Sequence, residues 1–339
     1  MTDTHRRALV WGATGFIGRH LVDNLVRCGW DVRALTRRTS APRIDAPGGV
    51  EWIEYDPSAP THTFTRAVAG AGVVFNLAGS SGAVASNRHP LESLDSNCRL
   101  QLQFLDACQR SGERPHVVFA SSRLVYAATG RHPVSEEHPL APRSVYAAHK
   151  LCVEQYHAIY AQRGAITSAA CRISNPYGLD GEVGSKGYGF VNVLIQRALA
   201  GKPLAIFGRG LQLRDYIYID DLVRAMRLCA EHPGARNETF NLGLGRSISI
   251  LDAATQIRGA FSGGPIEFQP WPAEHETVES GDFVLDGSKA RALLGFIPAF
   301  TLERGLEDIR ERLGVTAPAP VRLAAQPPAA RAAVRITTA

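Results

Sequence analysis

Apolar and polar positions along this chain follow two alternating rhythms. Short apolar runs at Ala8-Leu9-Val10-Trp11 and at 31–36, 50–56, 72–79 and 116–122 read as strands, the last of them buried on both faces. Between them apolar residues recur at helical spacing, as at Ile17, Leu21, Leu25 and Cys28, and residues 91–112 read as one long helix carrying Asn97. Strands alternating with helices predict an α/β fold: a doubly wound, Rossmann-type parallel sheet whose ligands lie beyond the carboxyl ends of the strands. The rhythm breaks at 181–202 and 263–283, which places a smaller, sequence-discontinuous lobe over that edge. The division drawn from the pattern is 1–178 plus 215–262 for the larger domain and 179–214 plus 263–315 for the lobe. Residues 316–339, rich in Ala, Pro and Arg without apolar periodicity, read as a disordered tail.

The first strand runs into Gly12-Ala13-Thr14-Gly15-Phe16-Ile17-Gly18. Glycines after a strand let the backbone approach a pyrophosphate, and the helix that follows offers free N–H groups and the positive end of its dipole. A dinucleotide is the expected occupant, held by Gly12, Thr14, Gly15, Phe16, Ile17 and Gly18. The second strand ends at Thr36-Arg37-Arg38, where an NAD-binding protein usually places an acid for the ribose hydroxyls. Arg37 and Arg38 suit a 2′-phosphate instead, so NADP(H) is favoured and NAD(H) remains possible. Asp56 stands at a strand end where it can meet the adenine, and Asn76-Leu77-Ala78-Gly79 forms the crevice wall.

Composition narrows the class. With 45% hydrophobic and 20% charged residues over 339 positions, the chain is of ordinary globular type. The net charge of +5 is dispersed rather than gathered into a patch, which argues against nucleic-acid binding. No segment has the apolar length of a membrane span, and Met1 to Arg7 is polar, so a cytoplasmic location is expected. The six cysteines form no CxxC pair and no His/Cys cluster with metal-ligand spacing, so reduced thiols and no metal are expected.

The candidate chemistry lies in Ser144-Val145-Tyr146-Ala147-Ala148-His149-Lys150, because a tyrosine and a lysine four apart on a helix share a face. A phenol titrates at about 10, and a fixed ammonium beside it favours the phenolate and lowers that value toward the working range of a general base. Ser122 falls at the carboxyl end of the buried strand, on the same side of the sheet as the glycine turn.

Taken together, Gly12 to Gly18, Asn76-Leu77-Ala78, Ser121-Ser122-Arg123-Leu124-Val125-Tyr126, Tyr146 to Lys150 and Arg172-Ile173-Ser174-Asn175-Pro176-Tyr177-Gly178 stand in one order. That series resembles the extended short-chain dehydrogenase/reductases in their nucleotide-sugar epimerase/dehydratase branch. Gly201-Lys202-Pro203-Leu204, Arg214 to Asp221, Asn241-Leu242-Gly243 and residues 286–295 continue the resemblance, which spans roughly 8 to 312. It implies catalytic roles for Ser122, Tyr146 and Lys150: the serine holds the reacting hydroxyl or carbonyl, the tyrosine moves its proton, and the lysine binds the nicotinamide ribose. It further implies that Asn175 contacts the diphosphate of a nucleotide-sugar substrate, that Arg214 pairs with a phosphate, and that the protein is a homodimer built through the helices at 91–112 and 145 onward.

Departures from that pattern are as informative. Arg209 stands where many relatives have an acid, Glu279 stands where they have a phosphate-binding arginine, and no acid follows Thr36. After Ser122, the positions at which dehydratases of the branch carry an Asp-Glu pair hold Arg123 and Leu124. The expected reaction is therefore reversible hydride transfer at a sugar carbon, most simply C4, giving epimerisation without 4,6-dehydration. An NADPH-dependent 4-ketosugar reductase and a non-catalytic NADP(H)-binding sensor are the alternatives.

Overall fold

A computed structural model of the chain describes residues 6–37, 49–128, 133–179 and 188–315. Its strands are β1 (Arg7–Trp11), β2 (Asp31–Arg37), β3 (Glu51–Tyr55), β4 (Val73–Asn76), β5 (His116–Ser122), β6 (Thr167–Ile173), β7 (Asn175–Tyr177), β8 (Leu204–Phe207), β9 (Leu213–Tyr218), β10 (Glu238–Leu242), β11 (Ser247–Ser249) and β12 (Ile266–Gln269). The helices are α1 (Phe16–Arg27), α2 (Thr61–Val68), α3 (Ala83–Arg88), α4 (Pro90–Leu94), α5 (Leu100–Ser111), α6 (Val145–Gln162), α7 (Gly189–Leu199), α8 (Ile219–Glu231), α9 (Ile250–Phe261), α10 (Ala273–Thr277), α11 (Ser288–Leu294) and α12 (Leu302–Arg312). The tail at 316–339 and Arg38 lie outside the described residues.

Seven strands form one parallel sheet in the order β10-β6-β5-β4-β1-β2-β3. This is the expected doubly wound Rossmann-type α/β fold, and its strand order reverses between β1 and β4. Alternate residues of each strand enter opposite layers. Leu9, Trp11 and Val74 join Phe64 of α2 and Phe104 of α5 on one face, while Val10, Phe75 and Val118 join Leu21 of α1 and Met226 of α8 on the other. Trp11 stacks on Phe104 at 4.8 Å and meets Phe64 edge-on at 5.0 Å, and burying each such ring contributes about 1.5–3 kcal/mol. Every residue of β5 is buried, as its apolar run requires.

The helix expected over 91–112 is continuous but not uniform. Pro90–Leu94 is α-helical, Asp95–Arg99 forms a π turn, and Leu100–Ser111 resumes the α-helix. Apolar periodicity does not register one extra residue in a turn, but that insertion turns Asn97 inward, where it is 3% exposed.

The smaller lobe is made of β7, β9 and β11 in one sheet and of β8 and β12 in another. Helix α9 packs chiefly on α7, α12, β8 and β12. No helix among the described residues is long and apolar enough to cross a membrane.

Helix α6 is fastened to the sheet by buried polar groups. Glu154 receives Arg172 Nη2 at 2.7 Å and Nε at 3.1 Å, and also the Ser121 hydroxyl. Arg172 Nη1 donates to Tyr126 Oη at 3.0 Å, whose hydroxyl donates to Asn241 at 2.7 Å. Both side chains of the pair are more than nine-tenths buried. Removing one partner strands the other's charge, so Glu154→Ala should lower stability by about 3–5 kcal/mol. The exposed pair Arg7–Asp31 is the control, and Asp31→Ala should cost no more than about 1 kcal/mol. Urea denaturation of both variants checks the contrast; equal losses would contradict it.

Candidate active site

The turn after β1 is a steric fit. Gly12 adopts φ +91°, and a Cβ there would stand 2.9 Å from the Leu77 carbonyl carbon; a Cβ on Gly18 would stand 2.1 Å from Gly12 O. Glycine thus lets β1, the β4 end and α1 close on one another. Gly12, Gly15, Phe16, Ile17 and Gly18, with Leu77, Ala78 and Gly79, line a cavity of about 270 Å³ that continues to Ser122, Tyr146 and Lys150. Thr14 Oγ1 lies 3.3 Å from Thr36 Oγ1, tying the turn to β2. The buried Ser174 Oγ, in the cavity wall, has no hydrogen-bond partner among the described residues. Glycine turn, helix N-terminus and free hydroxyl together fit a dinucleotide.

The remaining cofactor candidates are peripheral. Arg37 is exposed at the end of β2. Asp56, one residue beyond β3, accepts Ser58 N at 2.9 Å and Ser58 Oγ at 2.7 Å, as a turn cap does. Asn97 acts on the wall rather than lining it: its Nδ2 donates to Ser80 at 3.0 Å and Ser93 at 3.1 Å, and its Oδ1 sits where a Cβ on Gly79 would come within 2.3 Å.

Ser122 ends β5, Tyr146 lies in the first turn of α6, and Lys150 lies one turn further on. The start of α6 is fixed by three side-chain caps. Ser144 Oγ accepts Ala147 N at 3.2 Å, Ser86 Oγ accepts Tyr146 N at 2.9 Å and Asn87 Oδ1 accepts Val145 N at 2.9 Å. Ser122 and Tyr146 both line the junction of the crevice with a larger cavity, the serine hydroxyl near enough to the phenol to act on its titration. Lys150 Nζ donates to Ala120 O at 2.8 Å and lies 5.7 Å from the Tyr146 ring centre.

One expectation about this triad is corrected. Burial, followed by the nearby Tyr188 phenol, pushes Tyr146 above its ordinary pKa, and the Ser122 hydroxyl offsets this only in part. The lysine does not lower it in this arrangement, because its ammonium is committed to a backbone carbonyl and is itself desolvated, its pKa falling to about 8. His149, expected on the outer face of α6, is half-buried with Nδ1 3.1 Å from Ser93 Oγ.

Next to the crevice, and sharing Ser122, Tyr146, Ser174 and Pro176 with it, a larger cavity of about 800 Å³ opens beneath the lobe. Asn175 and Arg214 both line it. Asn175 Nδ2 donates to Asp215 O at 2.7 Å. Arg214 Nη1 donates to Leu213 O and Gly281 O at 2.9 and 2.6 Å, and its Nη2 pairs with Glu279. The carboxylate of Asp215 turns away and accepts the backbone N–H groups of Leu244, Gly245 and Leu285, yet burial still raises its pKa to about 7. Sequence reasoning overlooked Arg123 and Tyr216, which line the same cavity. The available signal was a cation directly after Ser122, read there only as a missing acid.

A family model described as the NAD dependent epimerase/dehydratase family matches residues 8–243. The chain belongs to that family. UDP-glucose 4-epimerase of Mycolicibacterium smegmatis is 30% identical over 88% of this chain and 96% of its own. The solved UDP-glucose 4-epimerase of Thermotoga maritima with UDP-glucose superimposes with a TM-score of 0.81 at 27% identity, covering 91% of this chain and 98% of that one. MoeE5, solved with UDP-glucuronic acid and NAD, gives 0.80 at 28% identity over 91% and 99%. The family holds other reactions too: UDP-glucuronic acid decarboxylase 1 of Xenopus tropicalis is 28% identical over 89% of this chain and 70% of its own.

The lysine supplies a pH signature. Its folded pKa of about 8 lies below the ordinary 10.5, so between those values the unfolded chain binds more protons and stability rises with pH. The cost of the buried ammonium is complete below about pH 8 and is relieved toward 10.5. Compared with Lys150→Met, the wild type should therefore gain roughly 3 kcal/mol between pH 7 and the alkaline end of that window. Urea midpoints of both proteins at the two pH values test this; a constant gap would show that Lys150 titrates normally.

Proposed function

We propose that this epimerase/dehydratase-family protein is a nucleotide-sugar epimerase acting reversibly at a sugar carbon, most simply C4. The observation that carries this reading is that Ser122 and Tyr146 stand together where the crevice at the glycine turn meets the larger cavity, each lining both. A nicotinamide bound in the crevice would supply the hydride acceptor and donor. Ser122 holds the reacting oxygen, Tyr146 removes and returns its proton, and Lys150 would serve the nicotinamide ribose. Asn175 and Arg214 receive the diphosphate. Relatives solved with UDP-glucose and with UDP-glucuronic acid support a uridine nucleotide.

Water elimination does not fit this pocket. Arg123 and Leu124 carry neither acid nor base, and Glu136 is engaged with Asn241 N at 2.7 Å while Glu137 is exposed. A 4-ketosugar reductase is the second reading, favoured by the cation at the end of β2. Intact Ser122, Tyr146 and Lys150 speak against a non-catalytic sensor. A homodimer through α4, α5 and α6 is supported by Leu91, Leu94, Leu102 and Ile159, which are exposed on those helices.

Incubation with UDP-, TDP- and GDP-hexoses in deuterated water should yield a C4 epimer and no 4-keto-6-deoxy sugar. Tyr146→Phe should lose about 10²–10⁴ in kcat with cofactor affinity retained. A deuterated 4-keto-6-deoxy product in steady yield, or a phenylalanine variant as active as wild type, would refute the mechanism.

For the cofactor we propose NADP(H), because Thr36 is followed by Arg37 and Arg38 and no carboxylate repels a 2′-phosphate there. Fluorescence titration should show tighter NADPH than NADH binding, with the preference lost in the Arg37→Ala/Arg38→Ala variant. Relatives solved with NAD set the opposing expectation, and tighter NADH binding by wild type would uphold it.

A further inference from the structure

Arg123 is 8% exposed and lines the larger cavity, yet no carboxylate among the described residues forms an ion pair with it. Its Nη1 donates to Ser280 Oγ at 2.9 Å, its Nε makes only a long contact to Asn175 Oδ1 at 3.4 Å, and its guanidinium lies over the Phe283 ring at 4.9 Å. A guanidinium carries five N–H donors, so donors remain unused in a desolvated place. Burial, and next the positive field of Arg214, press its pKa down to about 10. Stranding a cation this way is costly unless an anion completes the site.

A second orphan points to the same place. The Tyr216 hydroxyl is buried in the cavity wall with no hydrogen-bond partner among the described residues, and both Arg123 and Arg214 act on it electrostatically. Of the acids nearby, Glu279 is taken by Arg214 and Asp215 by three backbone amides. Two buried cations and one free phenol thus stand among two carboxylates, both already engaged.

We propose that Arg123, with the Tyr216 hydroxyl, is a second anion-binding group of the substrate cavity, distinct from the phosphate partner Arg214, and that it sets which nucleotide-sugars are accepted. This rests on the nucleotide-sugar reading above. The anionic oxygens come either from the second phosphoryl group of the diphosphate or from a carboxylate on the sugar; the guanidinium fork suits both, and position 123, next to Ser122, is close to the reacting end.

The test is calorimetry of the cofactor-saturated protein with UMP, UDP, UDP-glucose and UDP-glucuronic acid, on wild type, Arg123→Gln, Arg123→Lys and Tyr216→Phe. If the phosphoryl group is bound, Arg123→Gln removes most of the advantage of UDP over UMP, about tenfold or more. If a sugar carboxylate is bound, UDP and UDP-glucose are unaffected and UDP-glucuronic acid weakens by that factor. In either case Arg123→Lys recovers part of the loss and Tyr216→Phe loses less than Arg123→Gln, and unchanged NADPH affinity reports an intact fold. Should Arg123→Gln fail to fold, Tyr216→Phe takes its place, with the same ligand pattern at smaller amplitude. Binding of all four ligands within twofold of wild type by the folded variants overturns the inference alone. Failure of wild type to bind UDP overturns it together with the nucleotide-sugar reading.

Discussion

Helix α6 must stand at a fixed height on the sheet for Tyr146 to meet Ser122, and the buried pairing of Glu154 with Arg172 and Ser121 sets that height. Glu154 lies one turn beyond Lys150, so the face that carries the reacting groups is the face that is fastened. The fastening reaches β5 through Ser121, one residue before Ser122, and β6 through Arg172, three residues before Asn175. Serine, tyrosine, lysine and asparagine are therefore registered against one another by a single salt-bridged cluster. The Tyr126–Asn241 bond extends it to β10 at the sheet's edge.

A second constraint is one of room rather than charge. At Gly12 and Gly18 backbone meets backbone, and any side chain would push the β4 end or α1 out of place. The crevice is the space left above that contact. Its far wall, at Gly79, is held by Asn97, whose inward turn depends on the π segment. Backbone packing shapes the glycine-turn end of the site, while side-chain charge shapes the larger cavity.

Much of this was legible in the residues. The run 116–122 became β5 with the same bounds, and the turn at 12–18 and the Tyr146/Lys150 helix stand where periodicity put them. These features are local, each encoded by a run or spacing within one turn or strand. What escaped depends on the third dimension. The π turn leaves apolar spacing nearly unchanged. The partner of Arg214 is Glu279, sixty-five residues away, although Asp215 and Asp220 are nearer in sequence. The state of Tyr146 is governed by burial, which the pairing of two residue types does not reveal. Arg123 reads as an absence in one dimension and as a buried cation in three.

Two of the joints between the sheets of the molecule are short. Strand β6 of the large sheet passes to β7 of the lobe through Ser174 alone, and β9 of the lobe runs directly into α8 on the large sheet. Hinged closure needs a few residues able to absorb large dihedral changes, and neither crossing has them. A ligand in the larger cavity therefore meets a roof that is braced at these two joints rather than swung on them.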